Sequence, residues 1–279
     1  MTALAQNAPD SAARRAAGSS FYAAMRMLPA DRREAVFEIY AFCRAVDDVA
    51  DAGGPRPPRL AELTRWRADV DALYAGAPPP RLAHLAEPLR RFGLEREDFM
   101  AIIDGMEMDV VADIRAPDWA TLDRYCDCVA SAVGRLCVKV FGLARPEGIE
   151  LAYHLGRALQ LTNIARDIDE DAALGRLYLP REALRSAGIE TTEPGAAIAH
   201  PGIAAAMMQV LARAQSHFAA ADTVMARCPS STVRTPRLMS QAYQVLLRKL
   251  IARGFVPPRP RVRIERWRLL WLLMRYGLR

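Results

Sequence analysis

Apolar residues recur along this chain at the three- and four-residue spacing of helices, and no run alternates with the two-residue rhythm of a strand. The pattern predicts helices over residues 20–27, 31–51, 59–75, 81–92, 96–113, 118–142, 147–172, 202–227, 232–253 and 263–276. Proline and glycine punctuate them at "GGPRPP" (53–58), "GAPPP" (76–80), "RPEG" (145–148), "TTEPG" (191–195), "CPSS" (228–231) and "VPPRP" (256–260). Asp118 and Ser231 stand where N-caps are expected. Residues 36–50 and 149–168 are apolar around most of the helical circumference, which assigns them to the centre of a bundle. No internal repeat or long linker divides the chain. The expectation is a frayed N-terminus over 1–18 followed by one all-α domain over 19–279.

Composition narrows this picture in three ways. With 279 residues, 52% of them hydrophobic, the chain can bury a large core. The start, "MTALAQNAPDSAARRAAG", lacks the apolar stretch of a signal peptide, so a cytoplasmic protein is expected. Cys43, Cys126, Cys128, Cys137 and Cys228 lack paired spacings and read as free thiols. His84, His154, His200 and His217 are scattered without ligand spacing.

The net charge of +6 suggests a nucleic-acid partner until its placement is considered. Residues 259–279 hold seven arginines and one acid, and removing them from the 38 basic and 32 acidic residues leaves 31 of each. The body is neutral and carries no nucleic-acid reader motif, so no nucleic-acid partner is expected. In the tail the longest apolar run is Leu269–Met274, far short of the roughly 20 residues that span a bilayer. Arginines flanking Trp267 and Trp271 suit peripheral contact of a C-terminal basic helix with anionic lipid. A final core helix with basic edges is the commoner reading of the same pattern.

Acidic residues supply the candidate chemistry. The spacing D-x-x-x-D places two carboxylates on one helical face, and it occurs at Asp47/Asp51, Asp109/Asp113, Asp123/Asp127 and Asp167/Asp171. Such a pair is ordinarily solvated surface. The first and last differ in their company: Tyr40, Arg44, Asp47, Asp48 and Asp51 form one polar stripe on an apolar helix, and Gln160, Asn163, Asp167 and Asp171 form another with Arg166 beside it. Two carboxylates about 4 Å apart repel by roughly 4 kcal/mol at an effective dielectric near 20. Facing stripes therefore need cations. Mg2+, with Mn2+ as a substitute, takes oxygen ligands and is commonly completed by substrate phosphates. The reading is that the carboxylates hold metal, the metal holds a diphosphate, and the arginines pair with the remaining phosphate oxygens. The rival is a non-catalytic helical protein whose stripes bind divalent ions or a partner.

At these residues the chain resembles the squalene/phytoene synthase family of head-to-head prenyl transferases. The likeness rests on "SSFYAAMRMLP" (19–29), "YAFCRAVDDVAD" (40–51), "GMEMD" (105–109), "YCDCVASAVGRL" (125–136) and "LGRALQLTNIARDIDEDAALGRLYLP" (155–180). It implies the isoprenoid-synthase helical bundle around a central apolar cavity. Within the family the pieces are most similar to bacterial members that join two farnesyl diphosphates into presqualene diphosphate for hopanoid biosynthesis, with downstream hopanoid or squalene pathway enzymes as partners. NADPH is not expected. Phytoene synthesis from geranylgeranyl diphosphate, or full squalene synthesis with NADPH, are the alternatives.

By position, the resemblance assigns Asp47, Asp48 and Asp51 to the first metal motif and Asn163, Asp167 and Asp171 to the second. Tyr40, Arg44, Gln160 and Arg166 fall where the family binds diphosphate, Ser20 and Phe21 at a flap beside it, and Arg176 on the closing loop "GRLYLP". Tyr125 takes the place of a tyrosine implicated in the first half-reaction, guiding proton removal or shielding the cation. Phe21, Tyr22, Phe37, Tyr40, Phe42, Tyr125, Met25, Met106 and Met108 are candidate cavity walls. Relatives often read A-G-x-V-G where this chain has Ala130–Gly134, and Ser131 is expected to alter cavity shape. Asp109 and Asp113 read as a funnel extension or a solvent-facing side and stay outside the metal set. Tyr243 and Arg261 are weaker candidates.

Overall fold

The computed structural model describes residues 25–26, 28–112 and 114–264. Ser20, Phe21, Tyr22, Asp113 and most of the expected helices over 20–27 and 263–276 lie outside the described residues. The described elements are α1 (Ala30–Asp51), α2 (Arg56–Tyr74), a 3-10 turn (Pro80–Leu85), α3 (Ala86–Phe92), α4 (Arg96–Ala112), α5 (Trp119–Cys126), a π turn (Asp127–Ser131), α6 (Ala132–Phe141), α7 (Arg145–Arg166), α8 (Ile168–Ala173), α9 (Arg181–Ser186), α10 (Pro194–Ala199), α11 (Ile203–Ala226) and α12 (Ser230–Arg253). Among the described residues no strand forms; an isolated parallel bridge joins Arg115 to Leu177.

Helix α7 is central, as its apolar circumference requires: Leu151, Leu155, Ala158, Leu161, Ile164 and Ala165 are all buried although they point in different directions. It packs on α6, α11 and α12. A second part of the core joins α1, α2, α4 and α6, where Phe42 meets Trp66 and Phe99 edge-on with ring centroids 5.5 and 5.0 Å away. Asp118 caps α5, its Oδ1 accepting from the Thr121 amide at 2.8 Å. Ser231 does not cap; α12 opens at Ser230, two residues before the expected start, after Pro229, and Ser231 sits inside the first turn.

Three departures from the periodic reading matter. The segment at "TTEPG", expected only as punctuation between helices, opens α10, because Glu193 accepts from the Gly195 and Ala196 amides and Pro194 fits the first turn. The single helix expected over 118–142 is interrupted by the π turn, a local widening that re-aims side chains on either side of it. Glycines make room for that turn: a Cβ on Gly105 of α4 would lie 2.5 Å from Val129 Cγ1, and one on Gly156 of α7 would lie 2.7 Å from the Ser131 backbone. Gly156→Ala is therefore expected to destabilise the fold by about 1–3 kcal/mol, since the obstacle is main chain and α7 is already packed on every side. Urea unfolding measures this, and a stability equal to the parent's refutes the close approach.

The third departure is at Asp167, where φ −100° and ψ 12° end α7 and a new helix starts. The acidic stripe survives the break. The Asp167 amide still bonds to Asn163 O and the Asp171 amide to Asp167 O, both at 2.8 Å, so the four-residue step is kept through it.

Candidate active site

The last turns of α1 and the α7–α8 junction carry the two stripes, and a short strap brings them together. After Asp171 the chain turns back through Gly175, and Arg176 reaches across to α1, giving Nη1 to Asp51 Oδ1 at 2.8 Å and Nη2 to Ala50 O at 3.1 Å. Arg59 donates to the same Ala50 carbonyl at 3.0 Å. Two guanidiniums on the open carbonyl end of α1 suit the negative end of its dipole. Elsewhere Arg44 bridges Asp47 (2.7 Å) and Asp48 (3.2 Å), and Arg166 grips Asp167 through two bonds of 2.7 and 2.6 Å. Asp48 is the most exposed of the first motif, at 59% against 36% for Asp47 and 39% for Asp51, which makes it the outermost of the three.

Beneath the stripes lies a group that sequence reasoning set aside. Asp109 of α4 is buried and accepts from Tyr125 Oη at 2.9 Å and Tyr178 Oη at 2.7 Å. The two rings stack with centroids 5.0 Å apart. Asp109 does not face solvent, and it adds negative charge within reach of both motifs. Burial first, then Asp51, pushes the Asp47 carboxyl up to about 6 despite Arg44, with Asp109 adding to the rise. Burial first, then Asp167, pushes Asp171 up to about 7 despite Arg176, again with Asp109 adding to the rise. Asp109 itself is raised by its burial, partly offset by the Tyr178 hydrogen bond. Burial lifts both tyrosine hydroxyls well above their ordinary value, so they stay protonated.

With every carboxyl written as ionised, Asp47, Asp48, Asp51, Asp109, Asp167 and Asp171 exceed the guanidiniums of Arg44, Arg166 and Arg176 by a formal three charges, and the raised carboxyls ionise together only when a cation is near. Among the described residues no three Asp, Glu, His or Cys side chains converge to hold an ion by themselves. Crowded carboxylates in pairs, without an all-protein cage, fit a Mg2+ or Mn2+ ion that keeps its waters and takes phosphate oxygens as further ligands.

An apolar cavity of about 230 Å³ runs inward from this polar mouth between α1, α6, α7 and α12. Tyr40, Gln160 and Asn163 stand at its polar end; among the described residues no charged side chain lines it. Asn163 Nδ2 donates to Gln160 Oε1 at 3.4 Å and accepts on Oδ1 from Tyr243 Oη at 3.1 Å, which places Tyr243 in the mouth. Arg261 is turned away, paired with Glu170 at 2.7 Å. The walls include Met25, Ile39, Val133, Leu155, Leu159 and Met239. Cys43 and Cys137 also line them, and burial pushes Cys137 up to about 12 and Cys43 higher, so both remain neutral thiols.

Several expected wall residues are elsewhere. Phe42 packs against Trp66 and Phe99 in the core, Phe37 and Met106 are buried outside the cavity, and Met108 lines a different cleft. Tyr125 lies under the carboxylates and not on the cavity wall. Ser131 points the other way: it accepts from Arg157 Nη1 at 3.0 Å and donates to Tyr153 O at 3.3 Å, so its bulk does not shape the cavity. Arg157 also holds Asp123 through bonds of 2.7 and 2.9 Å and Asp127 at 3.1 Å, which makes that D-x-x-x-D pair a structural clamp.

His154 and His217, 63 residues apart in sequence, meet with Nδ1 atoms 3.0 Å apart. Burial first, then His154, lowers His217 to about 4. Its folded value lies below the unfolded 6.5, so its contribution is present above that pH and is lost as pH falls towards 4. His217→Gln is expected to flatten the fall in thermal midpoint between pH 6.5 and 4; an unchanged slope refutes the assignment.

Comparison with known proteins agrees with this geometry. A family model described as squalene/phytoene synthase matches residues 14–268. The chain is 59% identical over 263 residues to presqualene diphosphate synthase of Rhodopseudomonas palustris and 55% identical over 263 residues to that of Sinorhizobium fredii, covering 94% of this chain and of each relative. A phytoene synthase of Narcissus pseudonarcissus is 37% identical over 178 residues, 61% of this chain and 42% of that one. Among solved structures, squalene synthase HpnC from Alicyclobacillus acidocaldarius superposes with TM-score 0.79 at 27% identity, covering 89% of this chain and 95% of that one. A dehydrosqualene synthase in complex with ligand gives TM-score 0.81 at 23% identity over 96% and 94%, a likeness of fold.

Proposed function

The chain belongs to the squalene/phytoene synthase family, and from that premise we propose that it joins two farnesyl diphosphates into presqualene diphosphate with release of one diphosphate. The observation that carries this reading is an uncharged apolar cavity opening onto a double acidic stripe with arginines on both sides. Full-length similarity to presqualene diphosphate synthases, against partial similarity to phytoene synthases, favours the C15 substrate.

Mg2+ held by Asp47, Asp51, Asn163, Asp167 and Asp171, with Asp48 at the rim, would neutralise the departing diphosphate. Arg44, Arg166 and Arg176 are placed to exchange carboxylate partners for phosphate oxygens. Tyr40, Gln160, Asn163 and Tyr243 orient the head group at the mouth. The dry walls keep water from the allylic cation, and the thiols of Cys43 and Cys137 stay neutral beside it. Tyr125 and Tyr178, fixed by Asp109, hold protonated hydroxyls below the departing group. The second alkene attacks the cation, and proton loss closes the cyclopropane while the acceptor keeps its own diphosphate.

Incubation with farnesyl diphosphate and Mg2+, without NADPH, is expected to give a cyclopropyl C30 diphosphate and one inorganic diphosphate per turnover. Phytoene from geranylgeranyl diphosphate as the preferred reaction, or product only when NADPH is added, overturns this substrate and product.

No helix among the described residues is long and apolar enough to cross a membrane. Peripheral contact with the inner membrane face falls to the basic segment 265–279. Arg259 is not available for it: its side chain is 3% exposed and bonds to Asp169, Ile198 O and Phe255 O. A chain ending at Ile264, with a thermal midpoint equal to the parent's, is expected to lose co-sedimentation with anionic vesicles. Unchanged sedimentation refutes this role.

A further inference from the structure

On the far side of α4 from Asp109 is a larger cleft, about 790 Å³, that the proposed reaction does not use. Its floor is apolar: Met108, Ile114, Leu184 and Ile189 line it, and Val111 is 52% exposed at its edge. Its rim carries four arginines. Asp104 and Glu107 share Arg67, and Arg181 pairs with Asp118 at 3.0 Å. Arg115 donates to a carbonyl and lies near Glu193, while Arg124 and Arg185 are exposed without a carboxylate partner, with Glu190 the unpaired acid among the described lining residues. A concave apolar floor beside two unpartnered guanidiniums matches an anionic amphiphile.

The cleft is wired to the strap of the acidic site. Arg115 Nε donates to Gly175 O at 2.8 Å, the Ala116 amide to Leu177 O at 2.8 Å, and the Leu177 amide to Ile114 O at 2.7 Å. Residues 114–116 line the cleft while 175–177 carry Arg176 to Asp51, and Tyr178, next in sequence, reaches Asp109. Ala116 holds φ 51°, a left-handed conformation that costs a non-glycine residue energy and recurs where backbone is held for a purpose. We propose that this cleft is a second binding site for a prenyl diphosphate, distinct from the catalytic cavity and positioned to bias the strap that carries Arg176. The guanidinium rim takes the diphosphate and the apolar floor takes the chain. The choice of a prenyl diphosphate over another anionic amphiphile rests on the function proposed above.

Isothermal titration of the full chain with farnesyl diphosphate in EDTA, which disables the metal-dependent site, tests this. One saturable site is expected, retained in Asp47→Asn and weakened at least tenfold in the Arg124→Glu/Arg185→Glu double variant, whose thermal midpoint should match the parent's. Inorganic diphosphate alone should bind at least tenfold more weakly, and short-chain phosphatidic acid no better than farnesyl diphosphate. With Mg2+, the double variant should keep turnover within twofold at low substrate, and a change of rate at high substrate, expected in the parent from occupancy of the cleft, should be absent from it. No binding in EDTA, binding unchanged in the double variant, tighter binding of phosphatidic acid, equal binding of inorganic diphosphate, or identical kinetics at high substrate overturns the proposal. Failure in EDTA with normal turnover in Mg2+ removes the cleft site alone; normal binding in EDTA without turnover in Mg2+ removes the catalytic reading instead.

Discussion

Replacing Asp171 with asparagine is expected to cut turnover about 10²–10³-fold while leaving the thermal midpoint equal to or above the parent's. The same holds for Asp47→Asn on the opposite helix. Both carboxyls ionise only against burial and like charge, which raises them to about 7 and about 6 in the folded chain from 3.8 unfolded. A carboxyl raised on folding contributes most below the unfolded value and costs stability as pH rises through the folded one. Asparagine removes that cost, so the gain in midpoint should appear at pH 8 and vanish at pH 4. A solvated surface aspartate gives neither effect, and a structural aspartate loses stability when replaced. Loss of activity together with a gain in stability is the signature of carboxylates crowded for a cation.

The second large effect is expected at Asp109. Asp109→Ala removes the carboxylate that accepts from both buried tyrosine hydroxyls and leaves Tyr125 only its longer 3.3 Å bond to Tyr178 Oη, so a loss of about 1–4 kcal/mol is expected by urea unfolding. Tyr125→Phe and Tyr178→Phe remove one donor each and should cost about 0.5–1.5 kcal/mol apiece. Because both bond to one carboxylate, their double variant should depart from additivity by more than 0.5 kcal/mol. Additive effects, or an Asp109→Ala variant as stable as the parent, contradict the shared-acceptor geometry. Turnover should fall with Asp109→Ala as well, because the tyrosines lose their fixed place beneath the leaving diphosphate.

The two stripes were legible because helical spacing carries them. Tyr40 to Asp51 lies on a single helix, and the hydrogen bonds across Asp167 preserve the step from Asn163 to Asp171. The break itself left no mark, since neither glycine nor proline stands there. For Asp109 the sequence leaves a funnel extension and a solvent-facing side both open, because D-x-x-x-D spacing looks the same on a buried and on a wet face. A signal was present, because Ile102 and Met106 lie seven and three residues before it on the same face and both are buried. The π turn, which depends on Gly105 and Gly156 from two other helices, and the His154–His217 contact are tertiary facts with no local signature. Ser131 is tied to the cavity only by its place in the motif shared with relatives; in the structure the π turn and Arg157 hold it on the opposite side.

The most direct test of a single diphosphate-binding site shared by α1 and the α7–α8 junction is electron paramagnetic resonance of Mn2+ bound in the presence of a non-ionising farnesyl thiodiphosphate. Wild-type protein is expected to take up Mn2+ only with the analogue present, and Asp47→Asn and Asp171→Asn should each lose bound metal although they stand on different helices. Full Mn2+ occupancy in either variant, or binding indifferent to the analogue, would contradict a site built jointly from the two stripes.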